Sequence, residues 1–238
     1  MTAKRAPFRL NFWMTVCAVP SLMVLLGLGF WQVERLVWKQ AIMDERAERL
    51  AAAPIDIAAV SDTGWQDIEH RRVKLRGRFG HDREILLLNS VRHGQTGFDV
   101  ITPMILETGG SVLVNRGWAP KTWTEGDLTR RRPDGVVERT GVLRAGGKQG
   151  NPWIPDNEPG RDQWFYIDAA QMAAKAGLTD TRPYVIKLTP NRDLAGYPKG
   201  PHASFKIRNK HLEYAITWFG LAATLVIIFV AYHVRRRD

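Results

Sequence analysis

Residues 208–238 read RNKHLEYAITWFGLAATLVIIFVAYHVRRRD, and they decide the fold class of this chain. Between Glu213 and Arg235 there are 21 residues without Lys, Arg, Asp or Glu. At about 1.5 Å per residue they span roughly 32 Å, which is enough to cross the hydrocarbon core of a bilayer. The stretch therefore predicts a transmembrane helix, which we assign to residues 211–234.

A second run without charged residues covers residues 10–33 and reads LNFWMTVCAVPSLMVLLGLGFWQV. Trp13 and Trp31 lie near its two ends, where indole rings settle at the level of the lipid headgroups. A cleaved signal peptide is the alternative, but its apolar region is usually shorter, and the small residues at 51–53 lie beyond a highly charged segment. We interpret the run as an uncleaved transmembrane helix that continues outward to about residue 50, shortly before Pro54.

Basic residues flank both predicted spans on the same side. The tail that ends at Arg9 has three basic and no acidic residues, and the tail that begins at Arg235 has three arginines and one aspartate. Because such clusters resist translocation, both termini should be cytoplasmic and residues 34–213 extracytoplasmic. The short N-terminal tail, which has no transit peptide, further predicts a bacterial inner (plasma) membrane and a periplasmic main domain.

The net charge of +10 would suggest a nucleic-acid partner if the protein were soluble. The tails hold six of the 34 basic residues and one of the 24 acidic residues, which leaves 28 against 23 and a net charge of +5 for the rest. This charge is spread along the chain, so we predict no nucleic-acid binding and expect contact with membrane lipid or acidic protein surfaces instead.

Beyond Pro54 the hydrophobic period changes to two, as it does in half-buried strands. Gly109-Gly110 indicates a hairpin, and AAQMAAKAG, which ends at Gly177, indicates a short helix. The predicted strands are residues 72–79, 83–92, 98–106, 111–118, 136–144, QWFYID at 163–168 and YVIKLT at 184–189. We therefore predict an α+β membrane protein, in which a two-helix transmembrane hairpin carries a β-rich extracytoplasmic domain at residues 54–208, built as an antiparallel sheet or partly closed barrel.

This domain has no recognisable catalytic or metal-binding motif. Its histidines, His70, His81, His93 and His202, form no HExxH or His-x-His pattern, and neither a G-x-S-x-G nor a phosphate loop is present. The single cysteine, Cys17, excludes an intramolecular disulfide, a covalent CxxCH haem attachment and a paired-thiol metal site. We predict that the chain is not an enzyme.

The second span carries a more specific pattern, because His211, Ala215, Trp218 and Ala222 share one helical face and Tyr214 lies beside them. A haem needs a neutral imidazole as axial ligand, small residues near the macrocycle, aromatic walls and arginines for its propionates. His211 would supply the ligand, the two alanines the space, and Tyr214 and Trp218 the walls. The alternative is an interfacial histidine within an aromatic belt.

Two residues at the outer end of the first span extend this hypothesis. Trp31 could add a further aromatic wall, and Arg35 lies at the depth where propionates would emerge. Trp31, Arg35 and Trp38 fall on one helical face. Interfacial anchoring is the alternative interpretation of the two tryptophans.

Five short motifs, in a fixed order along nearly the whole chain, resemble a known family. They are LGFWQVERLVWK, GFDVITPM, VLVNRGWAP, WFYID and NKHLEYAITWFGLA. Each motif alone is unspecific, but their order between two spans is specific. On these residues the chain is identified as a bacterial member of the surfeit-locus-1 family of cytochrome c oxidase assembly factors.

This resemblance implies that the chain is a chaperone of the respiratory chain that assists in forming oxidase subunit I. Bacterial members are similar to proteins that bind haem a through the histidine of the second helix, which is His211 here. The resemblance thus implies haem a as a non-covalent cofactor, His211 as axial iron ligand, and subunit I and haem a synthase as partners. The first alternative is a membrane scaffold that stabilises nascent subunit I without haem; an extracytoplasmic sensor and a hydrolase are further alternatives.

Overall fold

The computed structural model describes residues 11–123, 132–148, 151–189, 198–200 and 209–235. The chain divides into a helical unit, residues 1–45 with 206–238, and a β-rich unit, residues 46–205. The tails from which the orientation is predicted, residues 1–10 and 236–238, lie outside the described residues, as does His202.

Three α-helices are described: α1 (Phe12–Ala51), α2 (Ala169–Lys175) and α3 (His211–Arg235). Both α1 and α3 are long and apolar enough to cross a membrane. Their large apolar side chains are mostly exposed, as lipid-facing residues are in a membrane span. These two helices are therefore the candidate membrane spans of the chain.

Small residues bring α1 and α3 close together in the helical unit. A Cβ atom on Gly29 would lie 2.6 Å from the Phe219 ring, so glycine makes room for that ring. Phe30 meets the same ring edge-on, with ring centroids 5.4 Å apart. At the other end of α3, His233 donates from Nδ1 to the Phe229 carbonyl (2.7 Å) and accepts from the Asn11 backbone N–H at Nε2 (3.1 Å).

Among the residues that the structure describes, seven strands form the β-rich unit, and five of them close into a barrel. The strands are β1 (Ile55–Asp56), β2 (Arg72–Phe79), β3 (Ile85–Arg92), β4 (Gln95–Leu106), β5 (Ser111–Pro120), β6 (Val136–Arg144) and β7 (Thr181–Leu188). The barrel order is β2-β6-β7-β5-β4, and pairing of β2 with β4 closes it. Only the β5–β7 pair in the barrel is parallel. The prediction of a β-rich domain between two long apolar helices is confirmed, and the barrel is closed.

Alternation of side chains fills the barrel. Along β2 every second residue is buried, from Val73 to Phe79, as the period of two predicts. A second buried cluster, which includes Trp164 and Met172, packs α2 and its preceding segment against Ile101 and Leu113 of β4 and β5. The first cluster comprises Val73, Leu75, Phe79, Met104, Leu106, Val112, Val114, Leu143, Tyr184 and Ile186, with Ile57, Val60 and Trp65 beside them.

Two turn predictions are confirmed. Gly109 and Gly110 connect β4 and β5 with φ angles of 93° and 70°, which glycine adopts without strain. Asp168 caps α2, since its Oδ1 accepts from the Gln171 N–H at 3.0 Å, and Gly177 follows the helix with φ 65°.

The predicted strand QWFYID at residues 163–168 is wrong. Only isolated bridges occur there, at Gln163 and Trp164. The reason is that the Asn157 side-chain oxygen accepts from the backbone N–H groups of Phe165 (2.9 Å) and Tyr166 (3.3 Å), so a side chain takes donors that a strand would give to its neighbour.

Candidate functional site

The candidate site begins with His211, the first residue of α3. Its ring Nδ1 lies 2.7 Å from Oε1 of Gln32, a residue of α1 that is 8% exposed. A carboxamide oxygen can only accept, so with this oxygen facing the ring the imidazole donates through Nδ1. The neutral ring then carries its lone pair on Nε2.

The second ring nitrogen of His211 is open. Within the part of the chain that the structure describes, no hydrogen-bond partner contacts Nε2, and the side chain is half-buried. Histidines that bind metals have this arrangement, in which the non-ligating nitrogen donates to an acceptor that fixes the tautomer and the ring orientation. His211 is therefore suited to bind a metal ion through Nε2.

Three predicted site residues share the His211 face of α3. Ala215 and Ala222 are each 3% exposed, and Trp218 is half-buried. Small residues on such a face allow two helix backbones to approach. In this structure Ala215 and Ala222 thus contribute to helix packing, and the space they were predicted to leave for a macrocycle is covered.

The other predicted site residues lie on the outer surface of the helical unit. Tyr214 is 51% exposed and Trp31 is 48% exposed. The Arg35 guanidinium lies 4.5 Å above the Trp38 ring, which is a cation–π contact. The structure thus brings Arg35 to Trp38.

The sequence reasoning missed Gln32, although a signal for it exists. Gln32 is a polar residue that directly follows ten apolar residues, 22–31, and a buried amide is costly unless another group hydrogen-bonds to it. Such a residue predicts a polar partner on a neighbouring helix. The described residues contain no group of three or more His, Cys, Asp or Glu that could hold a metal ion, so a single imidazole is the candidate ligand.

A second polar constellation, the Glu84 cluster, lies in the β-rich unit and was also missed. The Glu84 carboxylate accepts from the Arg116 guanidinium, from Arg132 Nη2 (3.2 Å) and from the Thr102 hydroxyl (3.0 Å), and His81 Nδ1 lies 2.9 Å away. Burial raises the pKa of Glu84, but the His81 hydrogen bond and the two arginines outweigh burial and hold this pKa below its ordinary value of 4.5. The cluster thus links Glu84, which directly precedes β3, to Thr102 of β4 and Arg116 of β5.

The Glu84 cluster should make folding stability depend on pH. Because the folded-state pKa is lowered, the contribution of Glu84 is complete above 4.5 and is lost as pH falls through the lower folded pKa. We expect Glu84→Gln to lower the free energy of unfolding by about 2 kcal/mol at neutral pH. The variant should also reduce the fall of this free energy between neutral and acidic pH. Denaturant titrations of the detergent-solubilised chain between pH 3 and 7 measure both effects.

Glu107→Gln is the matched control. Glu107 also pairs with an arginine, Arg76, at 2.7 Å, but both side chains are largely exposed. An exposed pair contributes little, so this variant should keep the acid limb of the wild type. Equal pH profiles for Glu84→Gln and the wild type would show that the cluster does not couple to folding.

The chain is similar to one protein family over most of its length. A model of the SURF1 family matches residues 20–223. "Surfeit locus protein 1" of Rattus norvegicus is 33% identical over 227 residues, which cover 88% of this chain and 72% of the rat protein. The protein of that name from Takifugu rubripes is 30% identical over 88% of this chain and 92% of its own length. A "SURF1-like protein" of Rickettsia bellii is 30% identical, over 89% and 87% respectively.

Proposed function

Since the chain belongs to the SURF1 family of cytochrome oxidase assembly factors, we propose that it binds haem a non-covalently and assists its insertion into oxidase subunit I. The observation that supports this function best is the His211 imidazole, which Gln32 orients through Nδ1 while Nε2 stays open. The family supplies the assembly role, and this histidine supplies the means to hold the iron.

His211 would be an axial ligand of the haem iron, and Gln32 would keep its ring in the correct tautomer. The bound haem would supply the redox-active iron that the oxidase needs. Because Ala215 and Ala222 are covered, we place the macrocycle outside the α1–α3 interface. Trp31, next to Gln32 along the chain, and Tyr214, three residues after His211, are exposed aromatic side chains available to contact it.

The remaining predicted residues have supporting roles in this proposal. Trp218 is half-buried on the His211 face and would limit access of water to the iron. Arg35 would pair with a propionate only after it leaves the Trp38 ring. We propose haem a synthase as the donor of the cofactor and subunit I as the acceptor, and we assign no chemical reaction to the chain.

The haem content of subunit I tests the function. In cells that lack the chain, we expect subunit I to reach the membrane with a reduced haem a content per subunit, and the restored chain should return that content to normal. A haem-independent scaffold predicts a different result, in which the amount of subunit I falls and the remaining subunits keep their full haem content. The second result would overturn the proposal.

Gln32→Leu tests the positioning of His211. Loss of a hydrogen-bond partner of a metal-binding histidine typically weakens binding about 10-fold to 100-fold, and we expect that loss of haem a affinity here. Gln32→Glu keeps an acceptor oxygen and should retain binding. Gln40→Leu is the control, since Gln40 is exposed on the same helix and its side chain donates to Asp44 of that helix at 2.9 Å. If Gln32→Leu and Gln40→Leu bind haem a with equal affinity, Gln32 does not position His211.

We propose a bacterial inner membrane location with both termini in the cytoplasm and the β-rich unit in the periplasm, because basic residues flank the spans at both ends of the chain. An alkaline phosphatase inserted at Gly147, in the β-rich unit, should be active. The same enzyme fused after Asp238 should be inactive. The reverse pattern would overturn the orientation while leaving the two spans intact.

A further inference from the structure

A polar cleft on the outer face of the barrel has no role in the haem proposal. Its cavity is about 290 Å³, near the lower end of the usual range for ligand pockets. We call it the Lys187 cleft, and the residues used below are Asp99, Asn115, Arg144, Lys148, Tyr166 and Lys187. All of them belong to the β-rich unit.

Three of the five sequence motifs meet in this cleft. Asp99 comes from GFDVITPM, Asn115 from VLVNRGWAP, and Tyr166 from WFYID. They lie on different parts of the chain, and only the closed barrel with its covering segment brings them together. Motifs that do not contribute to the His211 site thus build a second site.

The charges of the lining favour an anion. Arg144, Lys148 and Lys187 line the cleft, whereas Asp99 is the one carboxylate among its described lining residues. The Asp99 carboxylate already accepts from Asn115 Nδ2 at 3.3 Å and from a serine hydroxyl, that of Ser90, at 3.4 Å. The lining therefore has an excess of positive charge.

Lys187 is the lining cation to which the described part of the chain gives no hydrogen-bond or ion-pair partner. Arg144 lies 3.4 Å from Glu69 and Lys148 lies 2.8 Å from Asp156, and neither carboxylate lines the cleft. Lys187 has no hydrogen bond or ion pair within 4.0 Å among the described residues, although it is half-buried. Burial lowers the pKa of its ammonium group, and Asp99 opposes this only in part. A buried charge without a partner is costly, so an anion from outside would stabilise it.

We propose that the Lys187 cleft binds a carboxylate group, with the Lys187 ammonium as its main contact. Arg144 would be a second donor, and the apolar part of the ligand would lie against the Tyr166 ring. The carboxylate could belong to a free small organic acid or to an acidic side chain of a bound protein. This site does not depend on haem binding.

The ¹³C NMR signals of the lysines, measured on the full-length chain in detergent, test the proposal. Reductive methylation with ¹³C-formaldehyde labels each lysine and keeps its charge, and the variant Lys187→Met identifies the Lys187 signal. Glutarate should shift this signal and that of Lys148 in a saturable way, and the shift of the lysines outside the cleft should be small. Lys187→Met should bind glutarate about tenfold or more weakly, as judged by the shift of the Lys148 signal.

Lys74→Met is the matched control, because Lys74 is exposed on β2 and lies outside the cleft. It should bind glutarate like the wild type. N-acetylglutamate N-methylamide distinguishes the two sources: binding as tight as that of glutarate indicates an acidic protein side chain, and clearly weaker binding indicates a free diacid. Three results would each overturn the proposal. The first is that glutarate causes no saturable shift, and the second is that Lys187→Met, folded by circular dichroism, binds glutarate as tightly as the wild type. The third is that inorganic phosphate binds more tightly than glutarate.

Discussion

His211→Ala is expected to abolish the Soret band of haem a in the purified chain while the protein still inserts into the membrane. In the proposed site the His211 imidazole would bond directly to the iron, so its removal would take away the bond that holds the haem. The measurement is the absorption spectrum of the detergent-solubilised variant, normalised to protein, from cells that make haem a. His211→Gly with added imidazole should recover part of the band.

A second histidine of the same helix gives the matched control. Both ring nitrogens of His233 are engaged, one by the Phe229 carbonyl and the other by the Asn11 N–H, so it has no free nitrogen for iron. His233→Gln should therefore keep the haem spectrum. Unchanged haem content and band positions in His211→Ala would refute the ligand assignment, even though the family membership would stand.

Gly77→Ala is expected to have the largest effect on the barrel. Gly77 lies on β2 where this strand pairs with β6 on one side and β4 on the other, at Val137 and Leu106. An added Cβ would overlap the carbonyl oxygen of Ile105 and lie 2.9 Å from its carbonyl carbon. Because these atoms are backbone, no change of rotamer relieves the overlap, and we expect a loss of about 4 kcal/mol in the free energy of unfolding.

Denaturant unfolding followed by tryptophan fluorescence measures this loss, because Trp65 and Trp164 are buried in the β-rich unit. Gly160→Ala is the control, since a Cβ there meets no atom within 4 Å. If the two variants have the same unfolding midpoint, β2 and β4 do not approach each other as closely as the closed barrel requires.

A strand was predictable from the sequence where one of its two faces is buried and the other is exposed. Over β2 the alternation of apolar and polar residues predicts the observed bounds, 72–79. Closure of the barrel was not predictable, since the pairing of β2 with β4 joins residues far apart in the chain and leaves no periodic signal. QWFYID failed for a different reason, because the Asn157 side chain competes for its backbone donors.

The candidate site was predictable one helix at a time. Helical spacing places His211 with Ala215 and Ala222, and the structure keeps these residues on one face. Spacing within one helix does not determine how that helix is rotated against its neighbour, so the contact between Gln32 and His211 was missed. The Glu84 cluster could not be predicted from the sequence, because Glu84 and Arg116 are far apart in the chain and meet only in the folded barrel.

The most direct measurement of the central claim is the absorption spectrum of the wild-type chain purified from cells that make haem a. We expect a Soret band and an α band of haem a in stoichiometric amount, and loss of the band on removal of the His211 imidazole. A wild-type chain that purifies intact and folded from the same cells but carries no stoichiometric haem would contradict the account and would favour a scaffold that acts without the cofactor.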